Sequence, residues 1–177
     1  MSESYSDLLL SVLNIDPVSR IRRNHGLEHA TLHILAARNP SRSVAGHSSV
    51  NGFWILGDVA TEELASAVQE ALRRLNNGEH SLAIHPNCGT NFATSGVMAG
   101  LAASLAMFGA GRRWRDKLER VPLSITLATL ALIAAQPMGL KFQQSVTTSG
   151  NPQGLKILEI SQANRGKIIA HRVITSD

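Results

Sequence analysis

Cysteine is nearly absent from the chain. Cys88 stands alone in 177 residues, so no intramolecular disulfide can form and the thiol is structural, a metal ligand or a nucleophile. Aromatic residues are scarce as well, at 4%, which removes the stacking platforms that single-strand nucleic-acid binders interleave with basic charge. Charge itself is missing over two long stretches, since no Asp, Glu, Lys or Arg occurs from Ser81 to Gly111 or from Val121 to Leu140. A secretory leader is not expected: the opening MSESYSDLLLSVLNID is acidic, its apolar run is short, and no small-residue cleavage site follows. No repeat or low-complexity linker is visible, and the length allows one ordinary domain or a small domain with an appendage.

The charge that is present is concentrated. RRWRDKLER, Arg112 to Arg120, holds five basic and two acidic residues and so carries +3 of the formal +4. Basicity therefore belongs to one short segment, and nucleic acid is set aside as a partner. On either side lie apolar runs of about the length a bilayer span requires, FATSGVMAGLAASLAMFGAG from Phe92 and VPLSITLATLALIAAQPMGL from Val121. Span, charged turn, span reads as a transmembrane hairpin over residues 92–140, with 112–120 as a basic loop and the lipid bilayer as partner. The alternative is a buried helical pair. Gln136 and Pro137 interrupt the second run, and Gly96-x-x-x-Gly100 is a spacing at which a second helix can approach closely.

Elsewhere the pattern is mixed. Asp16-Pro17 predicts a helix start, with Asp as cap, for a helix to about Ala37 that Asn39-Pro40 ends. Ser43 to Val59 is β-like with FWIL at its centre, Thr61 caps a helix that Asn77-Gly78 closes, and His80 to His85 reads as a short strand. LKILEISQ and KIIAHRVITS around Ala163 to Gly166 predict a C-terminal β-hairpin.

Chemistry enters with NHGLEHATLH. In His25-x-x-Glu28-His29 the positions i, i+3 and i+4 share a helical face, which is the spacing of the inverted zincin motif: two imidazoles for Zn²⁺ and a carboxylate as base. His33 continues the stripe at i+8, but ~12 Å of rise separates it from His25, so a His29/His33 pair is a competing register. His85-Pro86-Asn87-Cys88 adds a second pair at metal-ligand spacing. His25, His29, His85 and Cys88 make a His₃Cys set that is closed if all four bind, and open to water if one stands back. A buried, inert Cys88 and a Cys88 nucleophile are the alternatives. His47 would join only if the β-region folds over the helix; Glu79 could orient an imidazole; His171 reads as a sheet-face residue.

HGLEHAT, Gly46-x-Ser48-Ser49-x-x-Gly52-Phe53 and GEHSLAIHPNCGTN together resemble an uncharacterised bacterial membrane-protein family, a domain of unknown function with HALEHAT and HPxCGTN motifs ahead of a transmembrane hairpin. More distantly, the chain is similar to predicted metal-dependent membrane enzymes with HGxEHKT and HPRCGTSF motifs. The resemblance covers nearly the whole chain and implies a site of His25, Glu28, His29, His85 and Cys88. Asn87 stands where the distant family has Arg, and His33 lies outside the pattern.

The expectation is thus an α+β protein: a small membrane-surface domain of two helices and short strands over 1–91, the transmembrane hairpin over 92–140, and a C-terminal β-hairpin over 141–177 packing on the first domain. It would be a multi-pass protein of a bacterial inner membrane. Its function would be that of a zinc-dependent hydrolase of peptidase or amidase type with Glu28 as base, or else of a non-catalytic membrane subunit or assembly factor with a structural metal. A homo-oligomer or a membrane-protein partner is open to either. The positive-inside rule sends the basic segment to the cytoplasm and the site to the outside, whereas a thiolate ligand suits a reducing compartment such as the cytoplasm itself, so the side on which the site lies stays open.

Overall fold

Leu27, Ala30, Ile34 and Leu35 recur at helical spacing and are all buried, as expected of a helix laid on a core. In the computed structural model, which describes residues 5–165 and 168–177, they belong to α2 (Val18–Arg38). A short α1 (Tyr5–Leu13), not foreseen from the sequence, precedes it. Next come β1 (Ala45–Ser49), β2 (Gly52–Leu56), α3 (Thr61–Asn76), a 3-10 turn His80–Ala83, α4 (Gly89–Met107) and α5 (Trp114–Phe142). A π-turn Gln143–Thr147, β3 (Lys156–Arg165) and β4 (Ile168–Ser176) complete the order. The protein is α+β, with five α-helices and one antiparallel sheet of order β1-β2-β4-β3 among the described residues. It divides into two units, Met1–His85 with Gln144–Asp177, and Pro86–Gln143.

In the first unit the C-terminal hairpin extends the β1-β2 hairpin, because β4 pairs with β2: Phe53 lies opposite Val173 and Ile55 opposite His171. The expected hairpin turn falls partly on residues 166–167, which lie outside the described residues. Phe53, Ile55 and Val173 face a cluster made with Leu27, Leu35, Leu64, Val68, Ala71 and Leu75, so α2 and α3 share one apolar layer with the sheet. Each large side chain taken fully out of water there contributes about 1.5–3 kcal/mol. Gly52 serves the pairing: its φ of 124° and its approach to the Val173 carbonyl leave no room for a Cβ.

Buried polar contacts position α2. Asn24 Nδ2 donates to the carbonyls of Ser49 and Val50 at 2.9 and 3.0 Å, and its Oδ1 accepts the Thr175 hydroxyl at 2.7 Å. Arg23, also buried, reaches Gln153 at 2.8 Å and Asp177 at 2.7 Å. Gly26 lies against the Ser149 carbonyl, where a Cβ would overlap the oxygen. Several local expectations are revised. Pro17, not Asp16, is the cap residue of α2, and Asp16 faces Arg23 at 4.0 Å. Thr61 opens α3 as its first residue, and its hydroxyl is spent on His171 Nε2 at 3.1 Å. Residues 80–83 form a 3-10 turn in place of a strand, because Glu79 and Ser81 carbonyls accept from Leu82 and Ile84 in tight reversals.

The second unit is α4 packed on α5. Asn91 ties the start of α4 to the end of α5, accepting from Gln143 Nε2 at 2.7 Å and donating to the Pro86 carbonyl at 2.7 Å. The glycine at which the helices approach closely is Gly139, beside Asn91; Gly96 and Gly100 have open space around them and do not serve the approach expected of them. The basic segment is not a loop. The Arg113 N–H donates to the Asp116 carboxylate at 3.2 Å, capping α5 so that it starts at Trp114 and runs through Pro122 and Pro137 to Phe142. The expected pair of spans reduces to one: only α5 with the π-turn after it is long and apolar enough, among the described residues, to cross a membrane. In α4, Asn91 and the many Gly, Ser and Thr residues dilute the apolar character.

Two outcomes test this arrangement. Replacing Asn24 by Leu keeps the volume but strands two carbonyls and a hydroxyl, and should lower stability by about 3 kcal/mol in denaturant titration. His171 is fully buried and its Nδ1 has no hydrogen-bond partner among the described residues; burial lowers its pKa. The unfolded chain therefore takes up a proton below about pH 6.5 that the folded chain refuses, and stability should fall as pH drops through that point, by up to about 1.4 kcal/mol per pH unit for this residue. His171→Leu should flatten the pH profile by that amount.

Candidate metal centre

Three imidazoles leave α2 on successive turns, and the end of the first unit brings a fourth to them. The rings of His25 and His29 lie 4.3 Å apart between centroids, His29 and His85 5.6 Å, and His33 and His85 4.8 Å. His25 and His33 thus stay apart, as the helical rise requires, and are joined through His29 and His85. The sequence reading left His33 outside the site; its i+8 spacing from His25 was the available signal.

Each ring on α2 is oriented by a backbone carbonyl. His25 Nδ1 meets the Thr147 carbonyl at 3.0 Å and His29 Nδ1 the Ala83 carbonyl at 2.8 Å. A carbonyl can only accept, so both Nδ1 atoms carry the proton, and in the neutral ring the lone pair is on Nε2. His33 is reversed, with Nε2 donating to the Ile84 carbonyl at 2.8 Å. His85 is half-buried, and burial, with the like charges of His33 and His29 when protonated, pushes its pKa down to about 4. At neutral pH its ring is uncharged, the form in which an imidazole ligates a metal.

Glu28 is 3% exposed and faces β1. Its Oε2 accepts the Ser48 hydroxyl at 2.5 Å, and its carboxylate fills the space a Cβ on Gly46 would take. Gly46 and Ser48 are neighbours of Glu28 that sequence reasoning did not place at the site, although both belong to the Gly46-x-Ser48-Ser49 motif. His47, between them, points away and is exposed, which is what strand alternation demands once Ser48 faces the helix. Cys88 lies in the second unit as the cap residue of α4, its Sγ accepting from the Thr90 N–H at 3.4 Å. Glu79 is exposed and paired with Arg74 at 2.5 Å, and no contact of it with an imidazole is seen among the described residues. His80 Nδ1 ties the turn to the Gly150 carbonyl at 2.6 Å.

A family model described as a domain of unknown function, DUF6391, matches residues 20–160. An uncharacterized protein of Picosynechococcus sp. is 36% identical over 155 residues, which is 80% of this chain and 72% of the relative. No solved structure matches.

The contact of Glu28 with β1 gives a prediction. Gly46→Ala should displace the carboxylate and cost about 1–3 kcal/mol in thermal unfolding. Adding Glu28→Ala should recover much of that loss, a non-additivity that two independent sites would not show.

Proposed function

The chain belongs to the DUF6391 family, and on the chemistry of its own side chains we propose that it is a membrane-anchored zinc protein with hydrolase-type chemistry on a peptide or amide carbonyl. One observation carries the proposal. His25 and His29, 4.3 Å apart on adjacent turns, both have Nδ1–H tied to a backbone carbonyl, the tautomer-fixing support that metal-ligating histidines ordinarily have. In this reading His25 and His29 hold Zn²⁺ through Nε2, and His85, kept neutral by burial, is the third nitrogen donor. Cys88 is drawn in by sequence: it follows His85 at His-x-x-Cys spacing, and its thiolate would be the fourth donor or would leave that position to water.

Bound there, the ion would supply Lewis acidity, polarising a carbonyl and making water nucleophilic near neutral pH. Glu28 is assigned the role of general base. Ser48 donates to one carboxylate oxygen and fixes the plane of the group, and burial excludes competing water. The membrane part of the proposal rests on α5, which meets the length and apolarity of a span. Along it Leu123, Ile125, Leu130, Leu132 and Ile133 are all exposed, apolar side chains that water disfavours and hydrocarbon accepts.

A second reading has one specific observation in its favour. A carboxylate as buried as Glu28, packed on Gly46 and held by Ser48, suits a strut that fixes α2 to the sheet, with the metal structural and the protein a membrane subunit or assembly factor.

Elemental analysis of detergent-purified protein, prepared without chelators, tests both readings. About one zinc per chain is expected in the wild type, with loss in His29→Ala and Cys88→Ala. Glu28→Gln should keep the metal and lower amide-bond turnover by about 10²–10⁴; unchanged turnover with lowered thermal stability would favour the structural reading. A wild type without zinc would overturn both.

A further inference from the structure

The first turns of α5 present a surface that the metal chemistry does not use. Arg112, Arg113, Arg115, Lys117 and Arg120 are all exposed. Two acidic residues, Asp116 and Glu119, stand among them, so the segment keeps a formal charge of +3, and Asp116 accepts the Arg113 N–H. Two aromatic side chains accompany the cations, Phe108 at 84% exposure and Trp114 at 72%. One turn further on the same helix becomes apolar, with Val121, Leu123 and Ile125 exposed.

We propose that Phe108 to Arg120 is a docking surface for the headgroups of anionic phospholipids. The proposal deepens the membrane reading of α5 and rests on it. The order of the residues favours this occupant: cations level with the amphipathic indole of Trp114 and the ring of Phe108, then an apolar shaft, is the succession of charge, interface and hydrocarbon met on entering a bilayer. Guanidinium groups grip phosphate oxygens in pairs, and three of the five cations are arginines within four residues, Arg112, Arg113 and Arg115. Because α5 is capped at Arg113, the cations after it are displayed on a helical surface at the end of the span. Complementary charge on the other side must be negative, and among lipids that means phosphatidylglycerol-type headgroups over zwitterionic ones.

Trp54 and Trp114 are the two tryptophans, so the full-length Trp54→Phe protein reports from Trp114 alone. It would be reconstituted into phosphatidylcholine/phosphatidylglycerol vesicles with one lipid brominated at a time, at the same mole fraction. The proposal expects brominated phosphatidylglycerol to quench Trp114 about threefold more than brominated phosphatidylcholine, with the preference fading at about 0.5 M salt. Arg112→Gln with Arg115→Gln and Lys117→Gln, which spares the capping Arg113, should abolish the preference while circular dichroism stays unchanged. The salt arm needs no variant and so holds even if that protein misfolds. Equal quenching by the two lipids would overturn the proposal and leave the membrane reading standing. A preference that survives in the variant would also overturn it. No quenching by either lipid would sink the proposal and the membrane reading together.

Discussion

A helix buried on nearly every side has to find partners for most of the polar groups it carries, and the first unit is built around that requirement, although the buried Nε atoms of Arg22 and Arg23 have no hydrogen-bond partner among the described residues. From Arg23 to Leu35, α2 buries Arg23, Asn24, Glu28, His29 and Thr31 together with its apolar face. An unpaired buried polar group costs about 1–3 kcal/mol, and a charged one more, so five of them outweigh several apolar contacts unless they are satisfied. The surrounding segments supply the partners from remote parts of the chain: Ser49 and Val50 for Asn24, Ser48 for Glu28, Ala83 for His29, Thr147 for His25, Asp177 for Arg23. The contacts that hold the helix are the same contacts that orient the candidate ligands. The candidate site and the fold therefore share one network, and a substitution at either is felt by the other.

That network also explains which features local sequence could disclose. Positions i, i+3 and i+4 in His25-x-x-Glu28-His29 fix a helical face whatever surrounds it, and the alternating runs at the C-terminus fix two strands. The FWIL segment was legible for the same reason, since Phe53 and Ile55 turn inward at a period of two. By contrast, the split between Glu28, facing Gly46 and Ser48, and His29, facing Ala83, depends on what packs on each side of α2. Partners far along the chain, 20 residues away for Glu28 and 54 for His29, decide it. The distance argument separated His33 from His25 and kept a His29/His33 pair as a competing register, while the family resemblance left His33 outside the pattern; the fold lays it against His85.

In the second unit the composition was read correctly and the element boundaries were not. Absence of charge marks both apolar runs, but crossing a bilayer also needs sustained hydropathy, and the Gly, Ser, Thr and Asn residues of α4 lower it where Leu and Ile in α5 sustain it. A cluster of five cations suggests a loop when charge is the only guide. One carboxylate changes this, because Asp116 three residues after Arg113 caps the helix and carries helical geometry back through the basic segment.

The turn at His80–Ala83 shows why the departure from expectation has a chemical consequence. Had residues 80–85 formed a strand, their carbonyls would have been committed to a neighbouring strand in a ladder. In the 3-10 turn the Ala83 and Ile84 carbonyls point instead to His29 and His33. The two bonds select opposite tautomers, leaving the lone pair on Nε2 of His29 and on Nδ1 of His33. Neighbouring histidines one turn apart therefore present different nitrogens, and only His29 shares with His25 the arrangement that directs Nε2 away from the backbone. Two consecutive carbonyls at the end of an irregular turn thus separate the candidate pair His25 and His29 from the third histidine on the stripe, a distinction that helical spacing alone does not make.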